Sequence, residues 1–369
     1  MTLLRLPCPF SAPTNVRVTI ITKTKKEIPM AHETDVVIIG AGPVGLFAIF
    51  ECGMLKLKCH VFDALDCAGG QCAALYPEKP IYDIPAHPQI LGADLAAHLM
   101  QQAEPFHPSY HLSEQVVRLT SLNEMGTSFE VEGSSGTTVR CKAIIIAAGV
   151  GAFGPNRPPL SGIEAFEGKS VHYYVKSRDV YRDKHVVIAG GGDSAVDWAL
   201  SLSEIAASVS VVHRRAKFRA APESEAKLKA LAESGKIRLV VPYQLASLEG
   251  NDGYLTHIGV ETLDGQQEFL NADYLLAFFG LSMNLGPIAE WNLGLTNNHI
   301  TINPMTGATD RPGIYAIGDV ATYDHKLKLI LTGFAEAAQT AHAIRTFLYP
   351  DEIVHFEYST TKGVPASNA

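Results

Sequence analysis

Two kinds of apolar pattern alternate along the chain. Short β-branched or unbroken apolar runs, the signature of strands covered on both faces, occur at 34–39 (TDVVII), 58–62 (KCHVF), 185–189 (HVVIA) and 208–212 (SVSVV). Between them, residues 46–55 and a stretch ending at Leu202 space their apolar positions as a helix does, and so does 333–348, following Thr332. The order strand, helix, strand occurs twice, which predicts an α/β architecture with parallel sheets. Residues 128–132 and 138–141, with Gly133 and Gly136 between them, read instead as an antiparallel excursion from the parallel sheet, and such an excursion is expected in each of the two domains.

The strand-to-helix junctions carry the chemistry. The first strand runs into Gly40-Ala41-Gly42-Pro43-Val44-Gly45. In such a turn the first glycine permits the bend, the second admits a pyrophosphate to the backbone, and the third lets helix and strand pack closely. The helix N-terminus then faces the phosphate charge. The next strand ends at Asp63, where a carboxylate can accept hydrogen bonds from an adenosine ribose. The unit recurs at Gly190-Gly191-Gly192-Asp193-Ser194-Ala195, with Gly190, Gly192 and Ala195 in the three fingerprint positions. Here the spacing that leads from Gly45 to Asp63 leads from Ala195 to His213, followed by Arg214 and Arg215. The ribose acid has become base, and guanidinium groups bind a 2′-phosphate bidentately, so the second site is expected to take NADP rather than NAD, with Arg219 a further clamp. Two Rossmann-like dinucleotide-binding domains in one chain imply two dinucleotides. The acid-bearing one is expected to hold FAD, which would exchange hydride with NADP(H).

Composition narrows the field. The chain has 369 residues and 47% hydrophobic content, enough for two cored domains at roughly 150 residues each. A net charge of -8 disfavours nucleic acid as a partner. The longest apolar stretch, residues 143–153, is short of the roughly 18 residues a bilayer demands, so no membrane association is expected. Six cysteines, Cys8, Cys52, Cys59, Cys67, Cys72 and Cys141, match no zinc or disulfide framework and suggest a cytoplasmic protein. Residues 1–30 read as an extra N-terminal segment, either disordered or the product of a mis-assigned start, without the apolar core of a signal peptide.

The motifs GAGPVG at 40–45, IIIAAG at 144–149, GGGDSA at 190–195, HRR at 213–215 and GIYAIGD at 313–319 resemble the two-dinucleotide-binding-domain flavoproteins, thioredoxin reductases included. Gly69-Gly70-Gln71, Leu75-Tyr76-Pro77-Glu78-Lys79, Ile81-Tyr82-Asp83, GGGDSAVDW at 190–198 and Tyr358-Ser359-Thr360-Thr361 are similar, more narrowly, to the thioredoxin-reductase-like ferredoxin–NADP reductases, over residues 33–363. The resemblance implies that Asp63 binds the adenosine ribose and that Val116 contacts the adenine through its backbone. It implies that Gln71 and Tyr76 line the flavin, with Tyr76 stacked on the ring and Tyr358 on the opposite face. Phe153 would lie near the pyrophosphate, Asp319 would hold the ribityl chain, Thr360 would approach the ring, and Val44 would make a contact at the helix start.

A thioredoxin reductase needs Cys-x-x-Cys between its glycine-rich halves, and the corresponding stretch here, residues 170–177, has no cysteine. Cys72 follows Gly69-Gly70-Gln71, but Pro77 stands where a glutathione-reductase-like enzyme keeps its second thiol. Cys67 and Cys72 form a Cys-x4-Cys pair that leaves a thiol-disulfide oxidoreductase as the alternative. Without a thiol relay, electrons leave the flavin directly for an edge-on acceptor. Ferredoxin or flavodoxin fits, docking transiently through a local basic patch. The FAD domain is expected at 31–153 and 285–369, with the NADP domain inserted at 156–282 between Pro/Gly-rich linkers suited to hinge motion. The helix at 333–348 is expected behind the flavin and is a candidate surface for a homodimer.

Overall fold

The computed structural model describes residues 32–151, 154–282, 284–352 and 363–365. Residues 1–30, Phe153, Tyr358 and Thr360 lie outside the described residues. The chain divides into two compact units, Met1–Phe153 with Met283–Ala369, and Gly154–Ser282. The α-helices, in chain order, are α1 (Pro43–Met54), α2 (Gly70–Ala74), α3 (Gly92–Ala103), α4 (Asp193–Leu202), α5 (Pro222–Glu233) and α6 (Ile330–Leu348).

The discontinuous unit is built on five parallel strands in the order Ile314–Ala316, Ala143–Ile146, Val36–Ile39, Cys59–Phe62, Ser109–His111. All four residues of Val36–Ile39 are buried because alternate side chains serve different cores. Val36 and Ile38 pack among α1, α3 and α6, with Leu46, Leu95 and Ala337. Val37 and Ile39 face Phe129, Val131 and Val139 of a second sheet. That sheet has the order His32–Glu33, Thr138–Cys141, Phe129–Gly133, Val116–Ser121, and its last three strands run antiparallel. Two-sided burial is why the run has no polar alternation, and truncating a side chain such as Ile38 to alanine should cost about 2–5 kcal/mol.

The inserted unit repeats the plan. Its parallel sheet has the order Val171–His172, Tyr274–Ala277, His185–Ala189, Ser208–Val212, Ile237–Val240. Val186, Ile188 and Val211 pack with Val196 and Leu202 of α4 and Leu228 of α5. Val187 and Val212 face Leu255, Ile258 and Val260 of an antiparallel three-stranded sheet, Gln244–Asn251, Tyr254–Glu261 and Gln267–Asn271. Both units are thus α/β with a parallel sheet and an antiparallel excursion, as the sequence pattern predicts.

Element ends differ from the sequence expectation for local reasons. The first strand begins at Val36 rather than Thr34, because the Thr34 amide donates to the Arg140 carbonyl of the other sheet at 3.0 Å. Helix α1 begins at Pro43, a residue with no amide proton to leave unpaired in a first turn. Helix α6 starts at Ile330, before Gly333, after an extended Leu329. Among the described residues no helix is long and apolar enough to cross a membrane, and no side-chain cluster has the geometry to hold a metal ion.

Candidate functional site

At the first glycine turn the backbone leaves no room for side chains where helix meets strand. Gly40 has φ +111°, and a Cβ there would stand 2.3 Å from the Ala147 carbonyl oxygen; one on Gly45 would stand 1.9 Å from the carbonyl oxygen of Gly40. Gly42 is the open member, its nearest neighbour for such an atom being the Gly70 Cα at 3.9 Å. Helix α1 has no side-chain cap and no acid in its first turn, so its leading amides keep their positive potential for an anion. Val44 is spent otherwise: its side chain packs against Gly318 and Gly333, which leaves its main chain for any ligand contact.

Asp63 closes this turn from the next strand. One carboxylate oxygen accepts from the Ala41 amide at 2.7 Å and the other from the Leu65 amide at 2.8 Å. Burial raises its carboxyl pKa, against the opposing pull of those two amides. The Glu114 amide donates to the Asp63 carbonyl at 2.8 Å, drawing the chain toward Val116 alongside. The Val116 side chain is buried in the core, so only its main chain could meet a ligand.

The Gly69-Gly70-Gln71 segment packs on the same turn. The Gly69 amide donates to the Ala41 carbonyl at 2.8 Å, and a Cβ on Gly70 would stand 2.8 Å from the Gly42 Cα. Gln71, the second residue of α2, has its Nε2 beside Gly149. Tyr76 is half-buried and receives the Cys72 thiol at 3.7 Å. Burial pushes the Tyr76 phenol well above its ordinary range, and Cys72 and the Asp319 and Asp83 carboxylates push it further. Asp319 follows strand Ile314–Ala316, in the 3-10 turn Gly318–Val320. Gly40 to Gly45, Asp63, Gln71, Tyr76 and Asp319 thus converge on the C-terminal edge of one parallel sheet, the edge where such folds bind ligands.

The second glycine turn is clasped by the basic loop that follows its partner strand. The Arg219 amide donates to the Gly191 carbonyl at 2.6 Å, and Arg219 forms a β-bridge with Gly192. The His213 ring covers Gly191, where a Cβ would stand 2.3 Å from it, and Phe218 is buried with its ring centroid 5.3 Å from that of His213. Arg214, Arg215 and Arg219 remain exposed, and after burial they are what holds the His213 imidazole below its ordinary pKa. Gly190 abuts the Phe278 carbonyl, whereas Gly192 has nothing near its missing side chain. Asp193, at the start of α4, accepts the Ala221 amide at 2.9 Å, which ties the far end of the basic loop to the helix.

Sequence reasoning did not find the buried charges behind Asp319. Glu336 accepts the Gly318 amide at 2.7 Å with one oxygen, and Tyr323 Oη at 2.9 Å and Lys326 Nζ at 2.6 Å with the other. Lys326 Nζ also donates to the Gly318 carbonyl at 2.7 Å. The signal was there in α6, where Glu336 falls in register with buried Gly333, Ala337, Thr340 and Ala341 on an otherwise apolar stripe.

Among the described residues, Cys52, Cys59, Cys72 and Cys141 are free thiols. Cys72 is buried, and that burial raises its pKa to about 11, so at neutral pH it is a protonated thiol rather than a nucleophile.

The pyridine nucleotide-disulphide oxidoreductase family matches residues 34–343. A Paramagnetospirillum magneticum protein named ferredoxin–NADP reductase is 62% identical over 90% of this chain and 98% of its own length. Proteins of the same name from Granulibacter bethesdensis (60% identity; 91% of this chain, 96% of theirs) and Rhodospirillum rubrum (58%; 90% and 96%) are similar to it as well. In fold, the thioredoxin reductases of Lactococcus lactis and T. acidophilum each match with TM-score 0.74, at 24% and 21% identity, covering 86% and 85% of this chain and 99% and 98% of theirs. With its acid-bearing and arginine-bearing glycine turns and these relatives, the chain belongs to the pyridine nucleotide-disulphide oxidoreductase family, among its ferredoxin–NADP reductases.

Proposed function

We propose that this protein is a ferredoxin–NADP reductase that exchanges electrons between NADP(H) and ferredoxin, or flavodoxin in the same carrier role, through FAD. The observation that carries the reading is the arginine-bearing loop clasped to the second glycine turn. It presents three exposed guanidinium groups where a dinucleotide with a plain ribose would need an acceptor. The names of the relatives at 58–62% identity support ferredoxin as the protein partner.

The first site fits FAD: the bare flank at Gly42, the uncapped start of α1 and the Asp63 carboxylate at the strand end suit a diphosphate and an adenosine ribose. Bound there, FAD would supply the conversion between the two-electron chemistry of NADP(H) and the one-electron chemistry of an iron–sulfur or flavin carrier. In this reading the main chain of Gly40 to Gly45 holds the diphosphate, Asp63 the adenosine ribose and the main chain at Val116 the adenine. Gln71 and Tyr76 line the flavin, and Asp319 binds the ribityl hydroxyls. Tyr76 keeps its proton at any physiological pH, so it offers a neutral ring and no acid or base. In the inserted unit the opening amides of α4 and the gap at Gly192 receive the NADP diphosphate. Arg214, Arg215 and Arg219 bind the 2′-phosphate, and Asp193 keeps their loop in place. A substrate disulfide would need a thiolate, and the buried Cys72 does not provide one.

The test is NADPH-dependent reduction of purified ferredoxin by the yellow full-length protein, followed through cytochrome c. Turnover should require ferredoxin and should not respond to thioredoxin. A colourless protein that refuses FAD, or turnover of a disulfide in place of ferredoxin, would refute the proposal.

A further inference from the structure

The ion pair of Lys326 and Glu336 is almost wholly enclosed, with side-chain exposures of 5% and 3%. A buried pair contributes little net stability, since desolvating both ions offsets their attraction, so stability alone does not account for it. Its geometry supplies a better reason. The two charges grip one residue from both sides: Glu336 takes the Gly318 amide proton and Lys326 binds the Gly318 carbonyl oxygen. That carbonyl belongs to the peptide plane whose other end is the amide of Asp319, so the lysine fixes the plane from which Asp319 projects. Gly318 has φ +74°, a conformation open to few alternatives, and the side chain of Val44 lies against it. Tyr323 adds the third donor to the carboxylate, and its ring lies 5.2 Å from the lysine nitrogen.

Only a carboxylate satisfies this arrangement. Both oxygens of Glu336 accept, from Gly318 on one side and from Tyr323 and Lys326 on the other. An amide would set an N–H group against a donor on one side or the other.

We propose that Lys326 and Glu336 are positioning residues for the flavin, holding Asp319 at the ribityl chain and keeping the charge behind it balanced. This rests on the FAD assignment above. If it holds, removing one charge does two separable things. It loosens Asp319, and it leaves an uncompensated charge beside the cofactor, whose sign depends on which partner was removed. Lys326→Met leaves a carboxylate and disfavours the electron-rich reduced flavin. Glu336→Gln leaves an ammonium and favours it.

The experiment measures two properties of the purified, flavin-loaded full-length protein: the rate of FAD release on dilution, read by flavin fluorescence, and the midpoint potential of the bound flavin. Both single variants should release FAD about tenfold faster or more. Lys326→Met should lower the midpoint potential, Glu336→Gln should raise it, and the double variant should return toward the wild-type value. Shifts of the same sign, or an unmoved potential, would overturn the proposal, because a merely structural role gives no sign reversal. Should either single variant fail to fold, Tyr323→Phe, which removes one donor and no charge, should speed FAD release several-fold without moving the potential; unchanged release would count equally against it. A wild-type protein that takes up no FAD would refute the cofactor assignment itself, a result distinct from any difference among variants.

Discussion

Arg214 and Arg215 stand in solvent at the end of strand Ser208–Val212, so replacing either should leave the core untouched. Arg214→Ala should raise KM for NADPH roughly ten- to hundredfold, the value of a charge-assisted hydrogen bond, while KM for NADH barely moves. Steady-state kinetics with both nucleotides decides this, and equal changes would remove the arginine from the 2′-phosphate. The thiols lead to the opposite expectation. Cys72 is buried and protonated, bonded to Tyr76 and to nothing redox-active among the described residues, so Cys67→Ser with Cys72→Ser should keep most NADPH-dependent dye reduction. Loss of that activity with flavin retained would restore the disulfide alternative.

The two glycine turns look alike in sequence but make different predictions as elements. At Gly45 an added methyl would meet the Gly40 carbonyl at 1.9 Å, forcing α1 off its strand, so Gly45→Ala should yield protein without its yellow absorbance. At Gly192 nothing stands within 4 Å, so Gly192→Ala should keep its unfolding temperature yet raise KM for NADPH, because only a bound diphosphate would meet the methyl. A second elemental prediction comes from the strand edge where His60 Nδ1 and His111 Nε2 share a hydrogen bond at 2.9 Å. Burial, with neighbouring His111 and His32, lowers the His60 pKa to about 4 from an ordinary value of about 6.5. The unfolded chain therefore binds this proton first as pH falls, so the contribution is complete above about 6.5 and is lost progressively toward about 4. The unfolding temperature should drop over that window, and His60→Gln should flatten the drop. Much of this was legible in the sequence: runs such as HVVIA coincide with strand His185–Ala189 because two-sided burial erases polar alternation, and the glycine spacing marks the turns. The His60–His111 bond, the Asp193–Ala221 bond and the grip on Gly318 were not legible, because each joins residues that become neighbours only once strands and helices pair. Phe153, Tyr358 and Thr360 rest on motif resemblance alone.

Taken whole, the molecule carries its charge unevenly. The chain is net -8, yet residues 154–282 hold 14 Lys and Arg against 16 Asp and Glu, close to neutral. An acidic carrier such as ferredoxin should therefore dock through local positive patches against a repulsive background. Ferredoxin-coupled cytochrome reduction should fall several-fold from low to 0.5 M salt, while reduction of a small neutral dye by NADPH changes less. A salt-independent coupled rate would argue against electrostatic docking. The clasp in which Arg219 bonds Gly191 and Asp193 bonds Ala221 has a consequence for anyone redesigning coenzyme preference. Both bonds stitch the loop's far end to the turn, and the His213 ring packs over Gly191 at its near end, so swapping arginines for an acid piecemeal would leave the old scaffold aiming a foreign side chain. A reductase that favours the unphosphorylated coenzyme should require transplanting residues 190–195 and 213–221 as one cassette.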